Sequence, residues 1–178
     1  WKHVGDNLGF SHNVVVTDIR GKGDCDVIDD FYAAYRRQQA LADAIPAILS
    51  TDEVRDVIAR CRLLRWLPPR QASAMVVAME YAFTQVLDRV NPAMVLSFPI
   101  DRYVSDVLER LSKRRCTPYL ELTASLISGM SMLMYRGQLV KTASPPSSAM
   151  VREQVQTIAK PDFTPSYVQT AVRYTAAR

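Results

Sequence analysis

Two short strand-like segments, the apolar run Ala93 to Phe98 and Tyr119 to Leu122, constrain this chain more than any other feature of it. Between them Val104, Val107, Leu108 and Leu111 recur at helical spacing, and Asp101 stands where an N-cap belongs. Lys113, Arg114 and Arg115 close the stretch, where cations favour the C-terminal end of a helix dipole. Strand, helix and strand within about thirty residues make a βαβ unit. Its crossover is expected to be right-handed and its two strands parallel.

The flanking sequence adds helices. Asn13 to Ile19 (NVVVTDI) is a β-branched run feeding the glycine-rich turn Arg20-Gly-Lys-Gly23. A helix is expected next, with Asp24 as its cap and Val27, Ile28, Phe31, Tyr32 and Tyr35 on one face. Ser50 to Glu53 is a capping box, opening a second helix whose face is Val54, Val57, Ile58, Cys61 and Leu64. Pro68-Pro69 is expected to end it. A third helix carries Met75, Met79, Ala82, Phe83, Val86 and Val90 and stops at Asn91-Pro92. Met130 to Tyr135 and Gln138 to Thr142 flank Arg136-Gly137 as a hairpin, in which Met130, Met132 and Met134 read as packing residues. Further helices are expected from about Met150 to Ala159 and after Thr164-Pro165. The expected fold is one α/β domain over residues 1–178, three-layered and Rossmann-like, with a short parallel sheet, several helices and a β-hairpin.

Composition narrows the function classes. The 178 residues are 48% hydrophobic, which suits one globular domain. No run of about 18 apolar residues is present to span a membrane. Cys25, Cys61 and Cys116 are odd in number and far apart, which excludes a disulfide framework or a paired-cysteine metal site. With only His3 and His12 beside them, no metal and no cofactor is expected, and a reducing cytoplasmic setting fits. The net charge of +4 tolerates anionic ligands, though many ordinary domains are as basic. Arg55, Arg60, Arg62, Arg65 and Arg70, interleaved with Asp52, Glu53 and Asp56, read as a solvated helix face. No nucleic-acid motif accompanies them, so nucleic acid is not an expected partner. Trp1 in place of an initiator Met, and helix-like residues up to Arg178, lead us to expect an N-terminal fragment of a longer chain.

Ligands of open parallel sheets bind beyond the carboxyl ends of the strands. Three loops are nominated by that rule: Asp18 to Lys22, Ser97 to Arg102 and Thr123 to Gly129, all expected at one sheet edge. Asp18 and Asp101 are the candidate general bases, and each also has a plain reading, as a turn residue and a helix cap. Arg20, Lys22, Gly23 and Arg102 are candidate anion ligands, joined by Ser97, Thr123, Ser125 and Gly129. Arg20-Gly-Lys-Gly23 fits neither phosphate-binding glycine pattern, and a turn that uses glycine for positive φ is the favoured reading. A hydrolase would need Ser97 or Ser125 to meet His12, and no G-x-S-x-G elbow is present.

Three segments carry a resemblance: Val95 to Leu108 (VLSFPIDRYVSDVL), Pro118 to Ser125 (PYLELTAS) and Gly129 to Gly137 (GMSMLMYRG). They are similar to the N-terminal half of bacterial capsule polysaccharide biosynthesis proteins, glycosyltransferases with two Rossmann-like domains. The segments lie within about a quarter of the chain, and their motifs are loose. The resemblance implies the acceptor-side domain of a transferase in surface polysaccharide synthesis, inactive as this fragment alone. It implies an anionic sugar or polysaccharide acceptor and a nucleotide-sugar donor held mainly by a second domain. It also implies a cytoplasmic location at the inner face of the membrane, with peripheral association of the full-length protein. The alternative is a ligand-binding or regulatory α/β module with no chemistry of its own.

Overall fold

A computed structural model of the chain describes residues 2–40, 45–98, 102–124, 131–135, 138–140, 146–160 and 162. They are mixed α/β, with six α-helices and two small sheets of two and four strands among the described residues. In order these are α1 (Lys2–Asn7), β1 (Val16–Thr17), β2 (Cys25–Asp26), α2 (Ile28–Ala40), α3 (Thr51–Arg60), α4 (Pro69–Val90), β3 (Val95–Ser97), α5 (Arg102–Arg114), β4 (Tyr119–Ala124), β5 (Ser131–Tyr135), β6 (Gln138–Leu139) and α6 (Ser148–Ile158). No described helix is long and apolar enough to cross a membrane. The chain forms two compact units, residues 1–121 and 122–178, so the boundary falls within β4.

The first unit is built around α4. A helix apolar on all sides is a buried helix, and α4 buries Ala72, Ala74, Val76, Val77, Ala78, Met79, Ala82, Phe83, Val86 and Leu87. α2, α3 and α5 all pack on it. Ala34 of α2 and Ala72, Ala78 and Ala82 of α4 are fully buried, and side chains this small let helix backbones approach closely. Pro69 occupies the first turn of α4, where a missing N–H costs nothing. Asn91 ends it in the left-handed conformation at φ 43°.

α3 begins as the sequence predicts. The Ser50 hydroxyl accepts from the Glu53 amide at 3.3 Å, and the Glu53 carboxylate accepts from the Ser50 amide at 2.8 Å. Its end differs from expectation. α3 stops at Arg60, a 3-10 turn follows at Leu64–Trp66, and Pro68-Pro69 opens the next helix instead of closing this one.

One buried charge joins these parts. Glu80 lies mid-α4 with 1% of its surface exposed. Its carboxylate accepts from the Leu49 amide at 3.2 Å and from the Ile48 amide. Those amides lie just ahead of the α3 cap, so α4 fixes where α3 starts. Burial pushes the Glu80 carboxyl above its ordinary range, against the pull of the two amides and of Arg114.

A surface ion network locks α3 to α5. Arg110 holds Asp106 at 2.8 Å within its own helix and reaches Asp56 of α3. Arg114 reaches Glu53 at 2.5 Å, and Arg115 reaches Asp88 of α4 at 2.6 Å. The basic end of α5, read as a complement to its dipole, is therefore also its tie to two neighbouring helices. Hydrogen bonds from Ser50 and then Arg114 hold the Glu53 carboxyl below its ordinary value, and Arg60 and Arg110 do the same for Asp56.

β3 and β4 pair in parallel, Val95 with Tyr119 and Ser97 with Glu121, on either side of α5. The expected βαβ unit is present. Val95, Val104 and Leu108 lean on the core to which Tyr103, Val107 and Leu111 belong. In the second unit β5 and β6 form the expected antiparallel hairpin, Met134 opposite Leu139. Met132, Leu133 and Met134 are all half-buried, so the alternation read from the methionines is not a simple inside–outside pattern. α6 starts at a Ser147 cap and buries no residue. The helix expected after Thr164-Pro165 lies outside the described residues.

The N-terminal strand departs most from expectation. Only Val16–Thr17 of the Asn13–Ile19 run is strand, and it pairs in parallel with Cys25–Asp26 in a separate two-stranded sheet. Asp24 does not cap α2. It accepts from the Val15 amide and pairs with Lys2, while Asp26 accepts from the Ile28 amide and takes the capping position. α2 thus starts later, and Tyr32 falls on its exposed side while Phe31 and Ala34 face inward.

Two opposed titrations follow. Lowered carboxyls such as Glu53 stabilise the fold above the ordinary value of 4.5 and lose that contribution as pH falls through their folded values. Glu80 is raised, so its contribution is complete below 4.5 and is lost as pH rises through its folded value. Urea denaturation across pH should show stability declining above pH 4.5 in the wild type and a flatter limb in Glu80→Gln. Glu80→Ala leaves the buried Leu49 amide and the Ile48 amide without their acceptor and should cost about 1–3 kcal/mol at neutral pH.

Candidate functional site

The carboxyl end of β3 is where the βαβ unit gathers polar side chains. Ser97 closes β3, its hydroxyl donating to the Phe98 carbonyl at 3.1 Å. Tyr119 opens β4 opposite Val95, on the same face as Ser97, because side chains in a strand alternate. Ser105 lies in the first turn of α5. The hydroxyls of Ser97 and Ser105 act on the Tyr119 phenol, yet neither makes a well-formed hydrogen bond to its oxygen. Tyr119 is 5% exposed, so this is a buried polar atom without a partner. Such atoms are few in folded proteins and each asks for an explanation. Burial raises the Tyr119 phenol above its ordinary 10.0, Ser97 and Ser105 pull against that, and Glu121 and Glu109 add to it. At neutral pH it is a protonated donor ringed by hydroxyls. Three hydroxyls can each donate and accept, which suits a hydroxyl-rich ligand.

The loop after β1 is occupied by its own architecture. The amides of Asp24 and Cys25 both donate to the Val15 carbonyl, at 2.8 and 3.1 Å, and the Lys22 amide donates to Ile19 at 3.1 Å. Gly21 adopts φ 71° and turns the chain. Gly23 is needed for space: a Cβ there would sit 2.7 Å from the Val15 carbonyl oxygen and 2.8 Å from the Thr17 methyl. Arg20 is paired with Asp29 of α2. The turn reading of Arg20-Gly-Lys-Gly23 accounts for these residues, since the Lys22 amide and those of Asp24 and Cys25 just after the turn bind main-chain carbonyls rather than facing a phosphate.

The expected single sheet edge is therefore corrected. Asp18, Arg20, Lys22 and Gly23 are exposed and follow β1, whereas Ser97 follows β3, and β1 does not join the sheet of β3 and β4. The strand-end rule gave them a common location only if the strands shared one sheet. The Asn13–Ile19 run cannot extend into that sheet, because Val15 spends its carbonyl on the turn and the ladder is two residues long.

Thr123 is half-buried in β4, in the second unit. Asp101, Ser125 and Gly129 lie outside the described residues, and Arg102 is placed only as the first residue of α5. His12 is exposed and lies near enough to Asp24 to draw on its charge. No group of three His, Cys, Asp or Glu side chains among the described residues is arranged to hold a metal ion. Reading the sequence missed Tyr119 and Ser105. Tyr119 reads only as the first residue of a strand and Ser105 carries no signal of its own, and only the parallel register brings Tyr119 beside β3. No family model matches the chain, and no curated protein or solved structure matches it.

Removing an unsatisfied buried hydroxyl at constant shape is nearly neutral or stabilising. Tyr119→Phe should therefore keep or raise stability, within about 1 kcal/mol, in urea denaturation. A loss beyond that would mean that the hydroxyl has a structural partner.

Proposed function

We propose that the chain is the acceptor-side domain of a glycosyltransferase-like protein of surface polysaccharide synthesis. The observation that carries this reading is the parallel βαβ unit itself, in which β3 ends on Ser97 and Ser105 stands in the first turn of α5. That unit is built from the same residues, Val95 to Leu108 and Pro118 onward, that resemble the capsule biosynthesis family. On this reading the fold is a Rossmann-like layered domain, and a sugar acceptor binds at the carboxyl end of β3, as ligands of such sheets do. The hydroxyl of Ser97 exchanges hydrogen bonds with it, and Arg102 offers a cation at the start of α5. Asp101 stands nearest in sequence for taking a proton from an acceptor hydroxyl. The nucleotide-sugar donor belongs mainly to another domain, so the chain by itself transfers nothing.

A second reading is a ligand-binding or regulatory module without chemistry. It draws on the lack of a nucleophile–base pair in the sequence, and the loop after β1 does not add to it, because its Arg20 and Lys22 amide are engaged by the protein itself.

Titration of the 178-residue chain with acidic oligosaccharides, followed by backbone NMR, separates these readings from no binding at all. The expected result is a set of shifted amides centred on Ser97, Arg102 and Ser105, weakened about tenfold in Ser97→Ala, in line with one hydrogen bond to a ligand. Shifts elsewhere, or none, would remove the acceptor reading. Donor hydrolysis or transfer by the chain alone would contradict its role as one half of an enzyme.

A further inference from the structure

The link between α3 and α4 presents a surface that neither reading above uses. From Val57 to Met79 the sequence has no acidic residue, and within it lie Arg60, Arg62, Arg65 and Arg70. Two large apolar side chains in the same stretch are open to water, Leu63 at 56% and Trp66 at 78% exposure.

The backbone explains how they are held there. After α3 the chain tightens into the 3-10 turn Leu64–Trp66, with the Trp66 amide donating to Leu63 at 3.2 Å and the Leu67 amide to Leu64 at 3.1 Å. Side chains three apart eclipse one another in this geometry. Exposure sorts the segment into an inner row and two outer pairs. Cys61, Leu64 and Leu67 form the inner row: Cys61 and Leu64 are 2% and 0% exposed, and Leu67 packs against the core. Leu63 and Trp66 form an outer apolar row. Arg62 and Arg65 form a second outer row beside it, both exposed. The Arg65 guanidinium lies 5.4 Å from the Trp66 ring centre, so cation and indole are presented together. Arg60 is engaged by Asp56 and Arg70 by the Gln39 carbonyl, whereas Arg62 and Arg65 make no ion pair among the described residues. Pro68 and Pro69 stiffen the exit of the turn.

The geometry points to an anionic lipid surface as the partner of this turn. An indole and a leucine on a rigid, inwardly anchored turn enter the headgroup–acyl boundary, where Trp is favoured for its apolar body and polar tip. Arg62 and Arg65 stand beside them to meet lipid phosphates and carboxylates, and the absence of carboxylates over the whole stretch removes the repulsion that would oppose it. A protein partner would be served by an apolar pair with a mixed polar rim, whereas the charges carried by this stretch are of one sign. A nucleic acid would be served by the arginines but not by Leu63. The surface is attached to the α3–α4 frame, so the inference stands whether or not the sugar-acceptor reading does.

Vesicles of phosphatidylcholine with and without phosphatidylserine test it directly. In a Trp1→Phe background Trp66 is the sole tryptophan. Its emission should shift to the blue, and the protein should sediment, only with the phosphatidylserine vesicles and less so at high salt. Leu63→Ser with Trp66→Ser should abolish sedimentation. Arg62→Gln with Arg65→Gln should weaken it by roughly fivefold for each arginine, as about 1 kcal/mol per basic residue requires. All four side chains are exposed, so unchanged circular dichroism is the expected control. No binding to phosphatidylserine vesicles overturns the inference. So does binding that survives the Leu63/Trp66 change, or binding of a single-stranded oligonucleotide in place of vesicles.

Discussion

The acceptance of two backbone amides by the buried Glu80 carboxylate is the interaction on which the first unit depends. Carboxyl groups are costly to bury unless hydrogen-bonded, and this one is met by the amides of Ile48 and of the buried Leu49. The exchange fixes the chain just ahead of the Ser50 cap. α3 then runs at a set position on α4, which brings Glu53 and Asp56 within reach of Arg110 and Arg114. Those arginines belong to α5, the crossover of the parallel pair β3 and β4. A single carboxylate inside α4 is thereby connected, through helix start and ion network, to the helix that joins β3 to β4. Arg114 closes the circuit, since it pairs with Glu53 and also acts on Glu80.

Local rules were legible in the sequence wherever the deciding partners lay within one turn. The Ser50–Glu53 box, the apolar face of α3, the length of α4 up to Asn91 and the strand–helix–strand unit around α5 all follow from neighbours a few residues apart. Where two nearby residues competed for one role, the sequence did not decide. Asp24 and Asp26 both suit the start of α2, and Asp24 is taken by Val15 and Lys2. Pro68-Pro69 can close a helix or open one, and the 3-10 turn before it settles which. Partners far along the chain were hidden altogether. Glu80 reads as an ordinary polar position until the Ile48 amide, 32 residues away, is seen against it. Arg110 and Asp56 are 54 residues apart.

The same contrast governs the candidate sites. The glycine-rich loop was legible as a loop, and its glycines are there for φ and for space around the Val15 carbonyl. The Ser97–Ser105–Tyr119 group was not legible, because it depends on strand register. The arginines between Arg60 and Arg70 looked like one solvated helix face only while the period was taken as helical. Once the period drops to three, the arginines and the apolar residues separate into rows, and an exposed tryptophan stands beside a cation.

Native-state hydrogen exchange at neutral pH tests the central role of Glu80 most directly. The amides of Ile48 and Leu49 lie in a short connection, and without the carboxylate they would exchange like other loop amides. The account predicts that they exchange only with global unfolding, as slowly as the core amides of α4. Exchange of Ile48 and Leu49 by local opening, far faster than Val76 or Ala78, would contradict it.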